Sequence, residues 1–173
     1  MKKESTIWVK LLRYGLPILL TVLWLGFIFS NSSQSGEASG EQSKQVQEVV
    51  NEVAQSVGIK KPITEKTIRT GAHFTEFFVF ALLECWILAA FGGLRVHQPI
   101  WRPLAGFGAV IADGALMACI DETIQRFSSG RAAEWKDVGI DTLGAILAAI
   151  LVFGSYLAAR MIVHHKEKKR ASA

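Results

Sequence analysis

The chain has 173 residues, 50% of them hydrophobic and 20% charged, with a formal net charge of +4. A mean hydropathy of +0.29 is too apolar for a small soluble domain. The positive charge is not interleaved with aromatic residues, so nucleic acid is not an expected partner.

The apolar residues are clumped. Tyr14 to Ser33 carries no charge, Phe77 to Leu94 only Glu84, Pro103 to Ile120 only Asp113, and Thr142 to Ala159 none. Each run reaches roughly 18–20 residues, enough for a helix to cross about 30 Å of hydrocarbon. The expected fold is all-α: a polytopic membrane protein built as a four-transmembrane-helix bundle, with a short amphipathic extracytoplasmic helix. A single domain over residues 1–173 is expected, with spans near 14–32, 74–94, 103–121 and 139–161.

In chain order, Lys2, Lys3, Lys10 and Arg13 precede the first span. A basic start followed by SNSSQSGEASG resembles a cleavable signal. The length of the apolar run, with Trp24, Phe27 and Phe29 close to its end, favours a retained span. Residues 33–70 then form an extracytoplasmic segment. SNSSQSGEASGE reads as a Ser/Gly-rich linker. In SKQVQEVVNEVAQSVG, Val46, Val49, Val50, Val53 and Val57 recur at helical spacing, and Gly58 is placed to end the helix. That helix is expected on the outer leaflet or over the bundle. Thr64 can cap the next helix, with Glu65 in its first turn, and that helix runs into the second span.

Both termini fall on one side of four spans. Arg95 and Arg102 follow the second span, and Arg160, Lys166, Lys168, Lys169 and Arg170 close the chain, all on the side of the N-terminal basic residues. The positive-inside rule makes that side cytoplasmic, in a multi-pass protein of the cell membrane; the opposite side receives eight Lys/Arg, mostly in the long 31–70 segment. Cys85 lies about 18 Å along the helix from His73, and Cys119 lies near the outer rim, so no disulfide is expected.

Polar residues gather at one rim. The second span enters through RTGAHFTEF, the third leaves through CIDETIQRF, and the fourth enters through EWKDVGIDTLG. His73, Glu76, Asp121, Glu122, Gln125, Arg131, Asp137 and Asp141 are the candidate catalytic residues. His73 and Glu76 are neighbours on one helix face, as are Asp121 and Gln125, and Asp137 and Asp141. Gly144 and Ala148 continue the last stripe and permit close helix approach. Asp113 lies about 12 Å below Asp121, at a depth like that of Glu84. Ionisable groups this deep belong in the bundle interior. The plainer alternatives are that Asp137 caps its helix and that Arg131 pairs with Asp121 or Glu122.

DETIQRFSSGRAAEWKDVGIDTLG resembles the VanZ-like family, small membrane proteins named after a teicoplanin-resistance protein. The family pattern reads Asp-Glu-x-x-Gln-x-Phe, an Arg after a Gly-containing turn, then Asp-Val and a further acid or amide before Leu-Gly. Asp121, Glu122, Gln125, Phe127, Arg131, Asp137, Asp141 and Gly144 occupy those places. AHFTEF is similar to the family's Lys-x-x-His-Phe segment through His73 and Phe74, with Arg69 or Thr70 where lysine is common and Phe77 where tyrosine is common. FSNSSQS fits as well, so the likeness runs over residues 14 to 160. It departs in the loop, where Ser129 precedes Gly130 in place of Pro-Gly. The resemblance implies a four-helix membrane protein of the bacterial cell envelope, in some members linked to reduced lipoglycopeptide susceptibility and antibiotic resistance. It brings no settled activity.

Two classes of function follow. In the first, an enzyme acts on a lipid headgroup or lipid-linked cell-wall precursor: Ser128, Ser129, Gly130 and Arg131 hold the anion, His73 and Glu122 move protons, and Asp121, Asp137 and Asp141 orient them or hold a divalent cation. Magnesium, manganese or zinc would suit that donor set, but no compact ligand motif names a cofactor. In the second, the same rim binds membrane lipid or shields a precursor without catalysis. A small transporter subunit, with Glu84 and Asp113 on a proton path, is a third possibility.

Overall fold

The computed structural model describes residues 7–132 and 134–172; Lys2 and Lys3 of the basic start lie outside the described residues. Five helices follow one another: α1 (Ile7–Ser32), α2 (Gly36–Ser56), α3 (Glu65–Ala90), α4 (Trp101–Phe127) and α5 (Trp135–Ala171). No strand occurs among the described residues. α1, α3, α4 and α5 are each long and apolar enough to cross a membrane, as their uninterrupted apolar runs require. α1 carries a π-helical turn over Leu11–Gly15.

α3 packs most extensively on α5, which also packs on α4, while α1 lies against α3 and α4. Small residues permit this. Ala81, Cys85, Ala145, Ala148 and Ala149 surround Phe107 and Val110 in one core cluster. In lipid there is little hydrophobic gain from pairing helices, so close van der Waals contact between small residues provides the attraction. Gly144 is the tightest point: a Cβ there would meet the Phe74 carbonyl oxygen and lie 3.1 Å from Phe78 N. A second cluster of Ile28, Phe77, Phe80 and Ala118 seats α1. Trp24 Nε1 donates to the Glu76 carbonyl at 2.9 Å and fixes the height of α1 against α3. Leu19, Val22, Leu23, Leu147, Ile150 and Leu151 remain exposed on the outside of the spans, as lipid-facing residues must.

Several helices run past the expected span ends, α1 starting at Ile7, α4 reaching Phe127 and α5 reaching Ala171, and two boundaries shift in kind. The Ser/Gly-rich stretch is helical from Gly36 rather than a linker. Ser35 accepts from Ala38 N as N-cap, and Glu37 sits in the first turn, so local capping outweighs the weak helix propensity of glycine. The second span stops at Ala90, short of Leu94. Gly92 adopts φ +84°, and Gly92 N and Gly93 N donate to the Ala89 and Leu88 carbonyls, a glycine-terminated helix end. Gly58 ends α2 in the same way, and Thr64 caps α3 by accepting from Thr67 N, both as the sequence indicates. Cys85 and Cys119 are free thiols.

At one end of the bundle, Tyr156 Oη donates to the Arg95 carbonyl at 3.2 Å and Arg160 to the Gln98 carbonyl at 2.8 Å. This gathers the α3–α4 loop and the basic end of α5. At the other end, the turn after α4 is tied to the turn after α1. Gly36 N donates to the Ser129 carbonyl at 2.8 Å, Gly130 takes φ +75°, and a Cβ on Gly36 would strike the Gly130 carbonyl. α2 starts from this junction and returns along α3, with Asn51 Oδ1 accepting from Ile63 N at 2.7 Å and Gln47 donating to Ile63 O at 2.8 Å. Its polar side thus holds the loop that leads into α3. Val46, Val49, Val53 and Val57 stay exposed.

Candidate functional site

The tied end of the bundle holds the polar residues. His73 projects from α3, Asp121 from α4 and Asp141 from α5. His73 Nδ1 and Asp141 Oδ1 are 3.6 Å apart, and one ligand-type atom from each of the three residues lies within 4.8 Å of the other two. Asp121 and Asp141 are buried. Gln125, one turn after Asp121, donates to Asp121 Oδ2 at 2.9 Å and reaches Ser32 Oγ at 3.3 Å. It therefore orients the carboxylate and fastens α4 to the end of α1. Glu76, one turn after His73, accepts from Asn31 Nδ2 at 2.9 Å.

Arg131 stands above this cluster but pairs with no carboxylate among the described residues. Its guanidinium donates to the Ser32 carbonyl at 3.1 Å, to the Asn31 carbonyl at 3.4 Å and to Ser39 Oγ at 2.8 Å. The last carbonyls of α1 lack intrahelical partners, and a cation at a helix C-terminus is favourable there. Burial, and then the nearby Arg69 guanidinium, hold the Arg131 pKa below its usual value, yet an arginine stays protonated. Arg69 lies one helical turn before His73 on the same face and makes no hydrogen bond or ion pair among the described residues.

Three clefts meet at Arg131. One of about 210 Å³ is bordered by Asn31, Ser39, Arg69, His73, Glu76 and Arg131, with Val46 and Ile68 on its apolar side. A second of about 420 Å³ adds Lys66, Asp137 and Gly130 around His73, Arg69 and Arg131. The third, about 520 Å³, opens on the far side between Glu122, Arg126, Arg131 and Trp135. His73 thus borders two clefts, while Asp121, Gln125 and Asp141 lie beneath it.

Of the residues expected at the site, His73, Glu76, Asp121, Gln125, Arg131, Asp137 and Asp141 come together. Glu122 does not join His73: its Oε1 accepts from Glu134 N at the start of α5, which places it in the third cleft. Ser128 and Ser129 border a separate groove beside Phe127. The Ser128 hydroxyl donates to the Ser32 carbonyl at 2.9 Å, so it holds the turn rather than facing the cleft with Arg131. Gly130 remains beside Arg131. Deeper in the bundle, Glu84 and Asp113 interact with one another, side chain to side chain. Asn31 and Ser39 carry no signal in the sequence, and Arg69 is named there only through the resemblance, as the residue that, with Thr70, occupies the place where lysine is common. Its spacing of four from His73 is a further usable signal.

A bundle of four membrane-crossing helices, with a histidine and carboxylates buried under an arginine-bordered cleft at one rim, defines a small polytopic membrane protein with a polar site. The VanZ/LLP1 family model matches residues 17–158, and the chain belongs to that family. No curated protein and no solved structure matches it.

Proposed function

We propose that this site takes the anionic headgroup of a membrane lipid or a lipid-linked cell-wall precursor at the wall-facing rim of the cell membrane, with both termini cytoplasmic. One observation carries the reading. Arg69 lies close enough to Arg131 to depress its proton affinity, and the two guanidiniums border a single cleft with His73. Two like charges in a semi-buried rim are stabilised by an anion between them, and a guanidinium fork suits phosphate. Ser39 and Asn31 add polar groups on the same wall. Val46 and Ile68 offer an apolar wall for the start of an acyl or prenyl chain.

The orientation rests on charge. Arg95, Arg102, Arg160 and the basic end of α5 lie at the bundle end opposite the cleft, which fits the positive-inside rule. The association of some family members with lipoglycopeptide susceptibility fits a site that handles a wall precursor or an anionic lipid. A catalytic use is the second reading, favoured by His73, which borders the cleft on one side and Asp141 on the other. An imidazole held between a ligand cleft and a buried carboxylate is positioned for proton transfer.

The test is purified protein in nanodiscs with undecaprenyl phosphate, undecaprenyl pyrophosphate and phosphatidylglycerol. The reading predicts saturable binding that falls at least about tenfold in Arg69→Gln, the loss of one charge-assisted contact. Binding unchanged by Arg69→Gln, or no preference over phosphatidylcholine, contradicts it. Product formation lost in His73→Gln with binding retained selects the catalytic reading; the same lipid recovered unchanged selects the binder.

A further inference from the structure

We propose that His73, Asp121 and Asp141 hold one divalent transition-metal ion, of the zinc or manganese kind, beneath the arginine-bordered cleft. The proposal deepens the headgroup reading: it rests on that reading for the use of the ion and on the geometry of three side chains for its binding.

The 3.6 Å between His73 Nδ1 and Asp141 Oδ1 is too long for a hydrogen bond. Two ligands of one tetrahedral ion, each at about 2.1 Å, stand about 3.4 Å apart. The gap is therefore the size that a bridging ion fills. Asp121 completes a three-residue set within 4.8 Å, one residue from each of three spans. The second observation concerns satisfaction. Asp121 is 0% exposed and Asp141 1%, yet Asp121 Oδ1, both carboxylate oxygens of Asp141 and His73 Nδ1 have no hydrogen-bond partner. Buried polar atoms are ordinarily satisfied. Four orphans from three converging side chains describe a ligand cage rather than a solvated helix end.

Charge supports the same reading. Two carboxylates and a neutral imidazole balance a divalent cation, and Arg131 makes no ion pair with either aspartate among the described residues, its NH groups being directed at the α1 carbonyls and Ser39. Gln125 grips Asp121 Oδ2 and leaves Oδ1 toward the triad, the way groups outside a coordination sphere orient a ligating carboxylate. The imidazole disfavours magnesium and suits zinc or manganese. Three protein ligands leave a coordination position open, and His73 borders the cleft on that side, so a water or a phosphate oxygen can occupy it.

An exposed group, His97, His164 and Glu167, has similar spacing at the opposite end, so the test uses the full chain carrying His97→Ala and His164→Ala. After EDTA treatment and dialysis in detergent, zinc chloride and manganese chloride are titrated by calorimetry, and retained metal is counted by mass spectrometry. The expected result is one ion per chain. Asp141→Asn and His73→Gln should each weaken binding at least about 100-fold, since loss even of a group outside the coordination sphere costs up to that much. Glu52→Gln on exposed α2 should leave it unchanged. Zinc should also raise the melting temperature of the parent but not of Asp141→Asn, a readout independent of how the variant alters stability alone. No binding by the parent tighter than about 100 μM, or undiminished binding in Asp141→Asn, overturns the proposal. Lipid binding that persists without metal sinks the metal use and spares the headgroup reading; metal binding without any lipid binding does the reverse.

Discussion

Gly144→Ala tests whether close approach of α3 and α5 builds the site. Gly144 is three residues after Asp141, and its Cα faces the backbone next to His73. An added Cβ would meet the Phe74 carbonyl oxygen, with Phe78 N at 3.1 Å and the Phe74 carbonyl carbon at 3.2 Å. These are backbone atoms in the middle of a helix, so no side chain can rotate out of the way. The helices must separate, which widens the gap between His73 and Asp141. Overpacking costs about 1–3 kcal/mol, and the rigid neighbour puts this substitution at the upper end. Gly154 lies two to three turns further along the same helix, and a methyl added there would have nothing within 4 Å. At that position alanine should stabilise by about 0.5–1 kcal/mol through helix propensity alone. Equilibrium unfolding in mixed micelles should therefore separate the two variants by roughly 3 kcal/mol or more, in opposite directions from the parent. Equal stability of Gly144→Ala and Gly154→Ala would refute the reasoning.

Arg131→Lys keeps the charge but loses the fork that spans Ser32 and Ser39; because Arg131 is partly buried, the cost should be about 2 kcal/mol, with faster hydrogen exchange over residues 31–43. Exchange unaltered there would mean that the guanidinium does not fasten the α1–α2 junction. In a chain with Cys85→Ser and Cys119→Ser, Glu134→Cys should react with a membrane-impermeant maleimide on intact cells, and His97→Cys only after permeabilisation; the reverse pattern inverts the proposed orientation. An environment-sensitive fluorophore on Val49→Cys should emit further to the blue in liposomes than one on Glu48→Cys, because Val49 belongs to the exposed stripe of α2. Identical emission would place that helix clear of the bilayer.

The spans were legible because hydropathy is a sum over many residues and tolerates local error. Thr64 and Gly58 were legible because a cap and a left-handed stop act within a few residues of themselves. Helical phase was enough to put His73 beside Glu76 and Asp121 beside Gln125, since spacing alone decides which side chains share a face. What escaped depends on contacts between distant segments. The stretch after Ser35 has the composition of a linker, and its helix rests on the Ser35 cap together with the Gly36–Gly130 contact, which no local pattern encodes. Ser128 and Ser129 look like an anion cradle in sequence, but the α1 carbonyls claim the Ser128 hydroxyl once the two turns meet. Glu122 and Asp121 are adjacent in sequence and so point about 100° apart on the helix, which sends one toward His73 and the other toward Glu134. Asn31 and Ser39 became visible only when Arg131 crossed to them.

The most direct measurement of convergence is a double-mutant cycle between His73 and Asp141, residues 68 positions apart in the chain. His73→Gln, Asp141→Asn and the double variant are compared by equilibrium unfolding in mixed micelles with zinc present. A coupling energy of at least about 1 kcal/mol is predicted, because the two side chains face one another across 3.6 Å. Effects that add to within about 0.5 kcal/mol would contradict a common site, since independent positions behave that way.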